Sequence, residues 1–263
     1  MTHNKSRRTT RRRIHRGRAM GCLVVLFVII ALIISLITSC VSKKHSDDDV
    51  ITQPANAQTQ QTEVTTEEDD GKFIVCLDPG HGGSDPGSNY GERLEKDDNL
   101  RYALAVAEEL KKREGINVIM TRINDNVPDA DNFDSAARGK IANDAGADLF
   151  LALHRNCAED TSGNGVEVWI KKNPPIVDQV LGYNLIKYLS AVGIQSNRGV
   201  NSGFRTDEQD NFTIMDSINM SGCLLELGFI SNDEDNRLFD ENMQKYAVAI
   251  ADVIEYIYIS YYK

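Results

Sequence analysis

The sequence predicts an α/β fold: a mostly parallel central sheet flanked by helices, in a single C-terminal domain behind an N-terminal membrane helix and a disordered linker. Three observations predict it. From Lys72 onward, short apolar runs alternate with amphipathic helical patterns, and strands apolar on both faces belong to parallel sheets covered by helices. Ahead of them, residues 19–42 carry no charge. Between the two, residues 43–71 offer almost nothing to bury. With 263 residues and a hydrophobic share of 41%, the chain has material for a core. That excludes disorder throughout, and the composition also excludes collagen, coiled coil and a multispanning membrane protein.

The net charge of −10 is unevenly spread. Residues 1–18 hold eight Lys or Arg and no acid, giving +8 and reading as a basic cytoplasmic tail. The uncharged run 19–42 would span roughly 36 Å as a helix at about 1.5 Å per residue, enough to cross a hydrocarbon core. Arg-rich residues before it and acidic ones after it orient the N-terminus inward and the rest outward. The arginines are read as orienting charges rather than as a nucleic-acid contact. Ile37-Thr38-Ser39-Cys40 resembles the cleavage box of a bacterial lipoprotein, so a lipid on Cys40 is the alternative anchor. The apolar run exceeds the roughly 7–15 residues usual in a signal peptide, which favours an uncleaved span. Residues 43–71 form an acidic tether of charge −6, which leaves −12 on the domain, residues 72–263. Anionic polymers should repel such a domain.

Within the domain, Phe73–Leu77 reads as a buried strand ended by Asp78-Pro79-Gly80. Leu100, Ala103, Leu104, Ala107 and Leu110 follow helical spacing, closed by Gly115. Asn117–Met120 is a short strand and Ser135–Ala145 a helix. Leu149–Leu153 is a second apolar strand, Val166–Ile170 another, Val177–Ala191 a helix and Gly222–Leu227 a third apolar strand. A last helix is expected from about Asn242 to Tyr258. Cys76 and Cys223 lie in apolar runs and read as small buried hydrophobes. Together with Cys157 they make an odd count in the domain, which argues against a disulfide framework.

In such sheets ligands bind beyond the carboxyl ends of the strands. The first apolar strand delivers His81 there, inside Gly80-His81-Gly82-Gly83, and the second delivers His154-Arg155-Asn156. These are the only two His of the domain. Taken singly, a His at a strand end is usually a satisfied polar residue. Both having that position points to two imidazoles of a His₂Glu zinc site, with a coordination position left for water. The carboxylate should come from the segment after His81, where Glu92 and Glu95 are both candidates. Spacing does not choose between them, and either also suits a solvated helix entry. The third apolar strand carries Glu226 within Cys223-Leu-Leu-Glu-Leu227, an expensive place for a carboxylate without a partner. Beside a metal-activated water, Glu226 can accept a proton and later deliver one to a leaving amine. The structural alternative is an ion pair with Arg138 or Arg237.

Four segments now occur in order: Asp78-Pro-Gly-His-Gly-Gly83, Gly91-x-x-x-Glu95-Lys-Asp, Ala147-Asp-Leu-Phe-Leu-Ala-Leu-His-Arg-Asn156 and Leu225-Glu-Leu-Gly-Phe-Ile-Ser-Asn232. Together they resemble the zinc-dependent N-acetylmuramoyl-L-alanine amidases of the type-3 family, over roughly Phe73 to Tyr258. The resemblance implies one zinc ion held by His81, Glu95 and His154, and it selects Glu95 over Glu92. It implies Glu226 as the catalytic carboxylate. The implied reaction is hydrolysis of the amide between N-acetylmuramic acid and L-alanine in peptidoglycan, so residues 72–263 are expected to be a zinc amidase domain.

The chain departs from the family pattern at Arg155 and Cys157, where small residues are common. Arg155 is expected at the rim of the site, binding a stem-peptide carboxylate, with Asn156 as a second substrate contact. Cys157 could compete as a soft ligand only if the His₂Glu set were incomplete. Some relatives carry an inserted helix that plugs the zinc site. Between Trp169 and Cys223 one helix candidate is present, so no autoinhibitory insert is expected. With no wall-binding repeat after the final helix, membrane tethering is the expected means of holding the domain near peptidoglycan.

Overall fold

The computed structural model describes residues 72–127, 133–204 and 211–263. The basic tail, the apolar run and the acidic tether lie outside the described residues. Among the described residues no helix is long and apolar enough to cross a membrane.

The elements are β1 (Phe73–Pro79), β2 (Asn89–Tyr90), β3 (Arg93–Leu94), α1 (Glu95–Leu110), β4 (Ile116–Met120), α2 (Ser135–Asp144) and β5 (Leu149–Asn156). They continue with β6 (Val166–Ile170), α3 (Ile176–Val192), β7 (Asn197–Ser202), α4 (Thr213–Asp216), β8 (Ser221–Phe229) and α5 (Asp233–Tyr261). Six strands form one sheet in the order β4-β1-β5-β8-β6-β7, and β2 and β3 pair as a small separate ribbon. All neighbours in the sheet run parallel except β6 and β8, which are antiparallel. The mostly parallel sheet expected from the sequence is therefore present, with its direction reversed for the last two strands.

Side chains alternate across the sheet and meet two separate cores. Val75, Leu77, Leu149, Leu151, Leu153, Cys223 and Leu225 pack against α1, α3 and α5. Cys76, Phe150, Ala152, Leu224 and Trp169 pack on the other face with Ala142 of α2 and Ile214 and Met215 of α4. Cys76 and Cys223 are free and buried, and burial pushes both thiols well above their ordinary range. They are core residues, as the sequence suggests.

Three differences from the expected elements have physical reasons. α5 begins nine residues before Asn242, because Asn232 caps it by accepting from the backbone N–H of Asp235. Its first turn, Asp233, Glu234 and Asp235, is acidic and favoured by the helix dipole, while its polarity hides the helical period. β5 does not stop at Leu153 but runs through Asn156, paired with β8 across a register shift between His154 and Asn156. Between Trp169 and Cys223 the described residues form α3, the polar edge strand β7 and the four-residue α4. Neither β7 nor α4 has an apolar period to announce it.

Candidate active site

β1 and β5 lie side by side and parallel, so the segments after Pro79 and around His154 reach the same end of the sheet. Gly80 follows β1 directly. A Cβ there would fall 2.1 Å from Cε1 of His154, so only glycine lets the second imidazole sit against this loop. His81 itself has φ +64°, a left-handed conformation that non-glycine residues rarely adopt. Its Nδ1 donates to Asp85 Oδ2 at 2.7 Å, which fixes the ring. Nε2 then lies 3.3 Å from Glu95 Oε1.

Glu95 is the first residue of α1 and its side chain is only 4% exposed. Oε1 also pairs with His154 Nδ1 at 3.0 Å, and Oε2 accepts from the backbone N–H of Ser88 at 2.9 Å. The N–H of Arg155 and the side-chain amide of Asn99 complete its hydrogen bonds at 3.2 and 3.3 Å. Glu92, by contrast, is exposed in the turn between β2 and β3. One potential ligand atom from each of His81, Glu95 and His154 lies within 4.8 Å of the others.

The electrostatics of the trio suit a cation. Burial alone would raise Glu95, but its hydrogen bonds to His154 and His81 and their charges hold it far below the usual carboxylate range. Burial likewise opposes charge on His81, yet Glu95 and Asp85 outweigh it and raise its pKa to about 9. His154 is more deeply buried, and there burial wins over Glu95 and lowers the pKa. The site thus draws positive charge to a point beside an ionised carboxylate while keeping one imidazole neutral. With two imidazoles and one carboxylate as donors, it fits a catalytic divalent zinc.

The trio opens into a cavity of about 670 Å³ that Glu226 also lines. Glu226 is directly opposite His154 in the β5–β8 register and is 5% exposed. Both side chains follow the parity of Phe150 and Leu224, toward the face covered by α2 and α4. The structural partners considered for Glu226 have other commitments. Arg138 pairs with buried Asp78 at 2.5 Å, and Arg237 pairs with Glu234 and Glu241 on the surface of α5.

A family profile described as N-acetylmuramoyl-L-alanine amidase, Amidase_3, matches residues 75–256. The chain belongs to that family. The chain is also similar to the probable cell wall amidases LytH of Staphylococcus epidermidis and Staphylococcus aureus, 34% and 33% identical over 199 residues. These matches cover 72% of this chain and 60% and 59% of those proteins, so the chain spans about 60% of the length of the curated relatives it matches. An N-acetylmuramoyl-L-alanine amidase from Clostridium difficile 630 has a similar structure, with TM-score 0.64 and 25% identity over 73% of this chain and 99% of that one. The catalytic domain of the amidase CwlV from Bacillus (Paenibacillus) polymyxa follows at TM-score 0.60 and 30% identity, covering 70% and 98%.

Within this amidase fold, the Arg155 guanidinium does not lie at the rim expected of it. Because β5 continues through Asn156, Arg155 points to the face opposite His154. Its side chain is fully buried between α1 and α5. Nη1 donates to Asp98 at 2.6 Å, Nη2 donates to Asn236 at 2.8 Å, and the guanidinium lies 4.1 Å over the Phe239 ring. Burial pulls its pKa down to about 10 against the pull of Asp98. Arg155 borders the cavity, but its guanidinium is committed to Asp98, Asn236 and Phe239 on the other side of the strand. Asn156 returns to the cavity face, where its amide donates to Glu167 at 2.8 Å and its carbonyl accepts from the N–H of Cys157. Cys157 lines the same cavity but is not part of the ligand trio.

Three residues of the site escape sequence reasoning. Asp85 orients His81, and its signal is a carboxylate four residues on from a His in a glycine-rich loop. Asn99, one helical turn after Glu95, donates both to Glu95 and to the carbonyl of Gly80. Glu167 lies opposite Glu226 across the antiparallel β6–β8 pair and gathers Asn156, Trp169 and Arg198 as donors. Only a reversed β6 puts it there, and nothing in the sequence reports that reversal.

Proposed function

We propose that the chain is a zinc-dependent cell-wall hydrolase that cleaves the amide between the lactyl group of N-acetylmuramic acid and L-alanine. The observation that carries this reading is the convergence of His81, Glu95 and His154 on one point, with Glu226 beside them in the same cavity. His81, Glu95 and His154 would hold the ion. When bound, zinc supplies Lewis acidity that polarises the amide carbonyl and acidifies the attacking water. Glu226 takes the proton of that water and returns it to the departing amine nitrogen, which leaves as the new N-terminus of the stem peptide. Asp85 and Asn99 keep His81 and Glu95 aimed, as carboxylate and amide partners of ligands do.

The N-terminal sequence supports an enzyme held at the outer face of a membrane, by a span over residues 19–42 or by a lipid on Cys40. We further propose that the chain works without an inserted plugging helix, so zinc alone, with no protein activator, should suffice for turnover.

Glu226→Gln tests the assignment. The variant should bind zinc as the parent does and lose about 10²–10⁴-fold in kcat on peptidoglycan, the usual contribution of a general base. Undiminished turnover would remove Glu226 from the chemistry. Zinc-independent binding to peptidoglycan without turnover in the parent would leave only a scaffold.

A further inference from the structure

His81 and Glu95 lie in segments that no common element joins: the loop after β1 and the first residue of α1. Arg122, two residues past β4, sits between those segments and is 3% exposed. Its Nε donates to the carbonyl of Pro79 at 3.0 Å. Its Nη2 donates both to the carbonyl of Gly80 at 3.1 Å and to that of Lys96 at 2.7 Å. One guanidinium therefore grips the residue immediately before His81 and the residue immediately after Glu95.

A second link closes the same gap. Lys96 Nζ donates to the carbonyl of Gly83 at 2.9 Å and pairs with Asp125 at 2.6 Å. Asp125 in turn accepts from the N–H of Gly83 at 2.8 Å. The loop also rests on the arginine itself. Gly82 has φ +132°, and a Cβ there would lie 2.8 Å from Cδ and Nε of Arg122.

This is a costly use of an arginine. None of its three hydrogen bonds goes to a carboxylate, and Nη1 is buried with no partner. Burial lowers its pKa even with Asp78 and Asp125 nearby. Filling the space alone would be served as well by an apolar side chain. What an apolar side chain cannot do is bind carbonyls of two segments with one planar fork, and a lysine point charge cannot do it either.

We propose that Arg122 is a positioning residue: it sets the separation of His81 and Glu95, and through it the affinity of the trio for its divalent cation. It does so without entering the cavity, whose lining does not include it. The inference rests on the metal reading given above.

The test measures zinc affinity of the full-length chain by competition with a chromogenic chelator, alongside melting temperatures before and after zinc is added. Arg122→Gln should weaken zinc by about 10–100-fold, the usual effect of losing a residue that supports the ligands. Its zinc-induced rise in melting temperature should shrink, a readout that a purely structural role would leave unchanged. Arg122→Lys keeps the charge without the fork and should weaken zinc in the same way. Lys96→Met cuts only the second link and should give a smaller loss in the same direction, which keeps the idea testable if the Arg122 variants do not fold. Zinc affinity within about twofold of the parent in the folded variants overturns the inference, as does full affinity in Arg122→Lys. A parent chain that takes up no zinc overturns the metal reading and the inference with it.

Discussion

Side chains alternate along β5, so His154 and Asn156 face the cavity while Arg155 faces α1 and α5. That parity separates chemistry from support within three consecutive residues. Arg155→Ala should destabilise the fold by about 1–3 kcal/mol, because Asn236 and the Phe239 ring lose their buried partner while Asp98 keeps Arg93 and Arg101. Denaturant unfolding measures this. kcat/KM of the fraction that remains folded should change equally for peptide-bearing and peptide-trimmed substrates, and a selective loss on the peptide-bearing one would restore a substrate role. Both imidazoles were legible in the sequence, since each follows an apolar run that can only be a buried strand. The rim placement expected of Arg155 came from ending that strand at Leu153 and treating the next three residues as loop, where parity has no meaning.

At the scale of elements, legibility followed burial. β1, β5 and β8 are buried on both faces and stand out as apolar runs. β7 is an edge strand of mostly polar residues, and its pairing to β6 is visible only in three dimensions. α3 was legible from its period, but not the reason for its position. Its third residue, Asp178, is fully buried and accepts from the N–H of Gly222, joining α3 to the strand that carries Glu226. Burial raises the Asp178 carboxyl above its ordinary 3.8, against the opposing hydrogen bonds of Gly222 and Ser221. The native fold therefore favours the neutral acid. Stability from this preference is present below the unfolded value of 3.8 and is lost as pH rises through the raised native value. Asp178→Asn should flatten that loss, so the variant should gain melting temperature relative to the parent between acid and neutral pH. A difference between the two that is constant with pH would contradict this.

For the molecule as a whole, the sheet divides labour between its two faces. One face packs α1, α3 and α5 into the larger core, and near it Arg93, Arg101 and Arg155 surround the Phe239 ring. The other face, with α2 and α4, carries His154 and Glu226 into the cavity. Because the ligand trio joins the loop after β1, the start of α1 and strand β5, a bound ion would link three separate parts of the chain. Zinc at about 100 times its Kd should then add roughly 2.7 kcal/mol of stability, which excess chelator should remove. The parallel strands and both imidazoles came from local pattern. The reversal of β6, the placement of Glu167 and the Arg122 bridge all depend on pairings between distant segments, which no local pattern encodes. The central claim meets its most direct test in mass analysis of peptidoglycan digested by the full-length chain, with and without chelator. The account predicts free stem peptides with a new L-alanine amino end and intact glycan strands, their release abolished by chelator and restored by zinc. New ends confined to the interior of the peptide, or release indifferent to chelator, would contradict it.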